Sequence, residues 1–191
     1  MMIPSYPKIV FGYHGCDREV GESVLAGKTQ LTYSKNRYDW LGSGVYFWEN
    51  SPACALDWAE TCASNPRLTK GRIKDPFVIG AIIDLGQCLN LTDVAHMSVL
   101  REAYKQLEKT LEMAGEELPK NSEKGHQLDC LVINTAVKLN EEKGNSSFDT
   151  VRGAYIEGDP IYPNAKIFEK THLQLCVRNL NCILGYFNPA L

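Results

Sequence analysis

The spacing of apolar and polar positions changes period several times along this chain, and each change marks an element. Lys8 to Gly15 is dense in Ile, Val, Phe and Tyr, the composition of a strand. Asp17 to Ala26 shifts to helical spacing. Asp17 is a natural N-cap, Glu19 places a carboxylate at the positive helix end, and Gly27 stops the helix. Residues 28–41 are polar and irregular and read as a loop over a site. Gly44 to Trp48 reads as a short strand. Ser51 to Ser64 is helical again, with Ser51 as N-cap, Pro52 at the first helical position and Leu56, Ala59 and Ala63 at helical spacing.

Pro76 to Leu85 is a mostly apolar run broken by Gly80 and predicts a buried strand. Asp93 to Ala114 carries the clearest helical period, with Leu100, Ala103, Leu107, Leu111 and Ala114 on one face. Residues 119–125 form a surface loop. His126 to Lys143 predicts a second amphipathic helix, with Leu128, Leu131, Val132, Thr135 and Leu139 inward. Short β-like pieces follow at Thr150 to Ile156, Leu173 to Val177 and Cys182 to Phe187. Strands at both ends with helices between them do not alternate as in a doubly wound fold. The expected class is α+β, with two packed antiparallel sheets and inserted helices.

Composition narrows this. A chain of 191 residues that is 44% hydrophobic fits one domain, residues 1–191. A net charge of -3 carries no global signature of nucleic-acid or membrane binding, although a local basic patch could still meet a polyanion. The apolar stretches are too short to span a bilayer. Residues 1–7 lack a basic segment followed by an apolar one, so no secretory leader is expected. Seven scattered cysteines without Cys-x-x-Cys fit reduced thiols and a cytoplasmic protein. His14 with Cys16, and His172 with Cys176, are ligand-type pairs. Structural zinc gathers four clustered ligands, so no metal is expected.

Two short segments carry candidate chemistry. His14-Gly15 ends a strand with an imidazole beside a residue that has no side chain. Glycine lets a ligand approach the backbone closely, so its N–H and C=O can pair with a planar amide. A strand-end histidine beside a turn glycine is the plainer alternative. Gly42-x-Gly44-x-Tyr46-Phe47 lacks the preceding strand and third glycine of a dinucleotide fingerprint. Its Tyr46 offers a flat, electron-rich ring suited to a pyridinium, or else is a core aromatic.

In order and spacing, Tyr13-His14-Gly15-Cys16, Gly42 to Phe47 and His172-Leu173-Gln174-Leu175-Cys176-Val177 resemble the His-Tyr-Glu frame of the diphtheria-toxin and poly(ADP-ribose) polymerase class of ADP-ribosyltransferases. The resemblance covers residues 8–64 and, more loosely, 150–187. It leaves 75–145 unmatched, read as a family-specific helical insertion. It implies an ADP-ribosyltransferase-like fold and NAD as a consumed substrate, without metal. It implies that Gly15 holds the nicotinamide carboxamide through two backbone bonds and that His14 contacts the adenosine ribose. Gly44 and Tyr46 line the nicotinamide pocket, and Trp58 is the candidate second wall. The place of the glutamate falls to Gln174, which can hold the ribose 2′-hydroxyl but carries no charge. That favours transfer of a single ADP-ribose over chain elongation. Glu157 is the rival acid, or a general base for the acceptor. Arg152 is a candidate pyrophosphate fork, or one half of an ion pair with Glu157. Lys35, Arg37 and Asp39 are candidate acceptor contacts.

Small proteins of this shape are similar to toxins of toxin–antitoxin and phage-defence systems, among them the mRNA-modifying toxins of the CmdTAC type. That implies an RNA or protein acceptor and an antitoxin partner, with no membrane. An NAD glycohydrolase and a non-catalytic NAD- or ADP-ribose-binding module remain alternatives. A thiol-dependent hydrolase through Cys16 or Cys176 is a more distant one, because no third orienting group is evident.

Overall fold

The structure is a computed structural model that describes residues 8–69, 71–122 and 125–190. Residues 1–7, on which the leader expectation rests, and Glu123 and Lys124 of the 119–125 loop lie outside the described residues. The chain runs β1 (Ile9–Asp17), α1 (Arg18–Leu25), β2 (Val45–Glu49), α2 (Pro52–Ser64), β3 (Pro76–Asp84), β4 (Cys88–Asn90), α3 (Met97–Ala114), α4 (Gln127–Glu142), β5 (Thr150–Tyr155), β6 (His172–Val177) and β7 (Ile183–Phe187).

All seven strands join one sheet, in the order β4-β5-β6-β2-β1-β3-β7. Only β4 with β5 is parallel. The α+β class holds, but the expected pair of packed sheets is corrected to a single sheet. The cause lies at its middle. β1 and β2 keep two ladder pairs, Gly12–Glu49 and Tyr13–Trp48, and these fuse a four-stranded half to a three-stranded half.

Local signals explain most boundaries. The Asp17 carboxylate accepts from the Glu19 N–H at 3.2 Å, and Gly27 leaves α1 with φ of 69°. Pro52 opens α2, although the Ser51 side chain makes no capping bond. Asp93 caps a single 3-10 turn through the Ala95 N–H at 2.9 Å, so α3 proper begins at Met97. β4 has three residues, too few to show a period.

The sheet is covered on both faces. On the back, α1 and Leu31 close over Val10, Phe47, Ile79, Ile83 and Leu175. On the front, α2 packs Ala55 against Trp48 and Val78, while α3 and α4 pack on Leu89, Val151 and Cys176. The buried residues of α4 are Cys130, Ile133, Ala136 and Val137, and Leu131 is 38% exposed. The inward face expected from the large apolar residues is thus rotated. Cys130 turns toward the loop before Trp40, its Sγ 3.5 Å from the Asn36 carbonyl oxygen, and the small Ala136 is buried in the cluster with Leu41, Leu89 and Ala103, a fit that residue size does not advertise. Residues 75–145 are not wholly an excursion. β3 pairs with β1 from Ile9–Asp84 to Asp17–Pro76, and the segment leaves the sheet only after β4. Among the described residues, no helix is long and apolar enough to cross a membrane.

Candidate functional site

Backbone parity shows what happens where β1 and β2 part. The Phe11 carbonyl accepts from Asn50 N–H at 2.9 Å, so odd-numbered residues of β1 turn their peptide groups toward β2. Lys8 C=O accepts from Leu85 N–H, and Arg18 N–H donates to Asp75 C=O, so even-numbered residues face β3. In the β1–β2 register, Gly15 would next oppose Tyr46. The ladder stops before that, at Tyr13–Trp48. The Gly15 N–H and C=O therefore face a fork whose other lip is Tyr46.

His14 bridges the fork. Its Nδ1 lies 2.7 Å from the Tyr46 carbonyl oxygen. A carbonyl can only accept, so Nδ1 carries the proton and Nε2 holds a lone pair. Burial pushes the His14 pKa below its ordinary value, outweighing the bond to Tyr46, and the ring is neutral at pH 7. The ring leans toward the back face, 5.8 Å from Phe47.

Gly15 is also fixed from the front. A Cβ there would sit 2.2 Å from the Ala55 carbonyl oxygen, so α2 seals one side of the fork. Tyr46 projects to the front. Its hydroxyl donates to Gly42 C=O at 2.7 Å and accepts from Leu41 N–H at 3.0 Å. Burial drives its pKa far up, so the phenol is a neutral brace for the Leu41–Gly42 turn. That turn needs Gly42 at φ of 78°. Gly44 is demanded by β6, since a Cβ there would lie 2.4 Å from Cys176 Sγ.

Beside the fork, the front face carries a row of rings and polar tips. Trp48 on β2 opposes Gln174 on β6, which opposes Gly153 on β5, and Tyr155 opposes His172 one pair further on. Trp40 lies over Gly153, where a Cβ would come within 2.6 Å of its ring. The Trp40 indole N–H donates to Gln174 Oε1 at 2.5 Å. Trp58 stands on the rim, 38% exposed, with its ring 5.8 Å from Trp48. A hydrogen-bonded chain ends in the same row. Asp129 Oδ2 is 3.3 Å from His126 Nδ1, and His126 Nε2 is 3.1 Å from the Tyr155 hydroxyl.

The fork thus brings His14, Gly15 and Tyr46 together, and the row holds Gln174 and Trp58 next to them. Arg152 is elsewhere. Its side chain lies on the back face and forks onto Glu49, with Nε–Oε2 at 2.5 Å and Nη2–Oε1 at 2.8 Å. The ion-pair partner is Glu49 rather than Glu157. Glu157 is exposed in the turn after β5, where its carbonyl accepts from Lys170 N–H. Lys35 and Arg37 are exposed in the loop leading to Trp40. Asp39 is half-buried and accepts from Ser34 Oγ at 2.5 Å. Burial raises its pKa, and its bond to Ser34 ties it into the loop.

The chain has no match among family models and none among solved structures. An uncharacterized protein of Methanocaldococcus jannaschii is 27% identical over 189 residues, spanning 90% of this chain and 83% of that protein.

Sequence reasoning passed over Trp40, His126, Asp129 and Tyr155 as site residues, and weighed His172 only as one of a ligand-type pair with Cys176. His126 and Asp129, three apart at the start of α4, were the findable pair. Trp40 and Tyr155 gain meaning only from strand register. Burial raises the Cys16 thiol to about 11 and that of Cys176 to about 12, so both stay protonated at neutral pH. Among the described residues, no three His, Cys, Asp or Glu side chains converge as a metal set. A cavity of about 550 Å³ opens between α3 and α4, away from the fork. Its wall is chiefly Leu91, Leu100, Leu128, Val132 and Tyr104, and it shares Trp40 and Asp129 with the neighbourhood of the row. That groove also carries Arg101, Lys105 and Glu108, and the fork and row are the better candidate because they set His14 and the Gly15 backbone opposite Tyr46, with Gln174 alongside.

Proposed function

We propose that the protein is an NAD-dependent mono-ADP-ribosyltransferase acting on a macromolecular acceptor, RNA or protein. The observation that supports this best is the fork. Gly15 turns one donor and one acceptor into it, the complement of a carboxamide such as that of nicotinamide. Tyr46 forms the opposite lip. On this reading the fold is ADP-ribosyltransferase-like, and its two half-sheets meet at the substrate.

NAD lies across the fork, with His14 toward the adenosine ribose and Trp58 toward the outer face of nicotinamide. Gln174 has its oxygen bonded to Trp40, so its NH2 is the group left to hold a ribose oxygen. When the glycosidic bond breaks, its electron pair goes to nicotinamide, which leaves neutral. The ribose carries the positive charge at C1′ until the acceptor nucleophile bonds there. The neighbours of Gln174 across the sheet are Trp48 and Gly153, neither of them a carboxylate, which favours one transfer to a group that is already nucleophilic. On this reading Glu157 takes the acceptor's proton, and Lys35 and Arg37 meet an acceptor phosphate. A cytoplasmic toxin or phage-defence effector, held in check by an antitoxin protein, is the setting that suits this chemistry.

The test is incubation of labelled NAD with the protein and separate pools of RNA, DNA and protein. Label should enter one pool. NAD consumed without label would make the protein a glycohydrolase. Binding without turnover would make it a recognition module, and neither would defeat the NAD reading.

A further inference from the structure

The row contains a buried acceptor that none of the roles above employs. His172 opens β6 and is 7% exposed. Its Nδ1 lies 2.5 Å from the Lys170 carbonyl oxygen. That contact fixes the tautomer, with Nδ1–H donating and Nε2 holding a lone pair. Among the described residues, only two buried side-chain polar atoms lack a protein partner, Thr69 Oγ1 and His172 Nε2. A buried acceptor left without a donor is costly, and each such exception calls for a physical reason.

The surroundings suit a sugar. The His172 ring lies 5.7 Å from Tyr155 and 6.2 Å from Trp48. Gln174 stands two residues along on the same face, beside Trp48 and Gly153. Flat apolar rings with a few polar tips are what a ribose meets when it is bound by its faces and its hydroxyls.

Resting on the NAD reading, we propose that His172, alongside Gln174, is the ribose-contacting residue of the late strand, its Nε2 accepting a hydrogen bond from a hydroxyl of the nicotinamide ribose. Gln174 supplies a donor and His172 an acceptor, so the pair can hold neighbouring ribose oxygens without formal charge. Nε2 is screened from solvent in the free protein.

The experiment compares NAD with its 2′-deoxy and 3′-deoxy analogues at the nicotinamide ribose, in binding and in turnover. The wild type should lose about tenfold on the analogue lacking the contacted hydroxyl, as for one hydrogen bond. His172→Asn keeps a donor near Nδ1 for Lys170 and removes Nε2. It should lose the same factor with NAD and no longer discriminate that analogue. His172→Gln, with an acceptor near Nε2, should recover the discrimination. A His172→Asn variant that discriminates as the wild type does would overturn the assignment. Should that variant not fold, the wild type decides alone. Nitrogen-15 NMR of His172 Nε2 should shift with NAD and not with the matching deoxy analogue, and no shift with NAD refutes the contact. A wild type that neither binds nor consumes NAD marks failure of the NAD reading itself, and this proposal falls with it.

Discussion

His14 offers the sharpest test of how the fork is held open. In His14→Ala the bridge to the Tyr46 carbonyl is lost, and with it that carbonyl's 2.7 Å partner across the fork. Loss of the bond costs about 0.5–1.5 kcal/mol, and stranding a buried acceptor brings the total to about 1–3 kcal/mol. Truncation beside Phe47 adds a small cavity, so about 2–4 kcal/mol is expected. At about 2–4 °C per kcal/mol for a chain of this size, Tm should fall by about 4–16 °C. Loss of activity in His14→Ala would therefore not by itself identify a ligand contact. His14→Asn separates the roles, because its amide N–H can reach where Nδ1 stood while nothing replaces Nε2. Urea and thermal unfolding of both variants should place His14→Asn within about 1 kcal/mol of wild type. NAD binding should still be lost if His14 Nε2 meets the ribose. A His14→Asn protein as unstable as His14→Ala would show that the bridge is not what matters, and the account of the fork would fall.

The lowered pKa of the same residue gives a pH signature. Its unfolded imidazole titrates near 6.5 and the folded one lower, so its contribution to stability is complete above about 6.5. That contribution declines as pH falls and levels off below the folded pKa. Tm measured from pH 8 to 5 should drop more steeply in wild type than in His14→Asn, and parallel curves would contradict it. Glu49 and Arg152 side chains are 3% and 11% exposed, so Glu49→Leu or Arg152→Met alone should cost about 3–5 kcal/mol, and the two together much less than the sum. A double-mutant cycle in urea checks this, and additive losses would mean that the pair is not coupled. Six of the seven cysteines are buried and Cys54 is not. A thiol reagent should modify about one thiol promptly in the native protein and the rest only on unfolding. Prompt reaction of Cys16 or Cys176, mapped by mass spectrometry, would reopen thiol chemistry.

Much of the fold was legible because its elements end on strong local signals. Asp17, Gly27 and Pro52 act where their chemistry says they should, and β1, α1, β2 and α2 follow to within about two residues. The sheet count was not legible. Whether two half-sheets are joined depends on the single stretch of register at Gly12 and Tyr13, which no periodicity encodes. The face of α4 misled for a related reason, since size suggested Leu131 while fit selected Cys130 and Ala136. The fork residues lie in contiguous motifs and could be picked out by eye. The row could not, because Trp40 meets Gln174 across 134 positions, and Tyr155 meets His126 only after α4 has docked.

Gly15 shows how packing and function can demand the same residue, and how to tell them apart. The Ala55 carbonyl leaves no room for a Cβ, so Gly15→Ala should force α2 off the sheet whether or not any ligand binds. Mutation is therefore the wrong probe, and the amide proton is the right one. His14 and Cys16 N–H face β3 within a ladder that runs from Ile9 to Asp17 and should exchange slowly. Gly15 N–H faces the fork and should exchange much faster than either neighbour, an inversion within three consecutive strand residues. Adding NAD should slow Gly15 selectively if its backbone holds the carboxamide. Nicotinamide alone at high concentration should do the same, because it carries that group. An amide already protected in the free protein would mean that the fork is closed. One that stays fast at saturating NAD would place the ligand elsewhere, whatever its affinity.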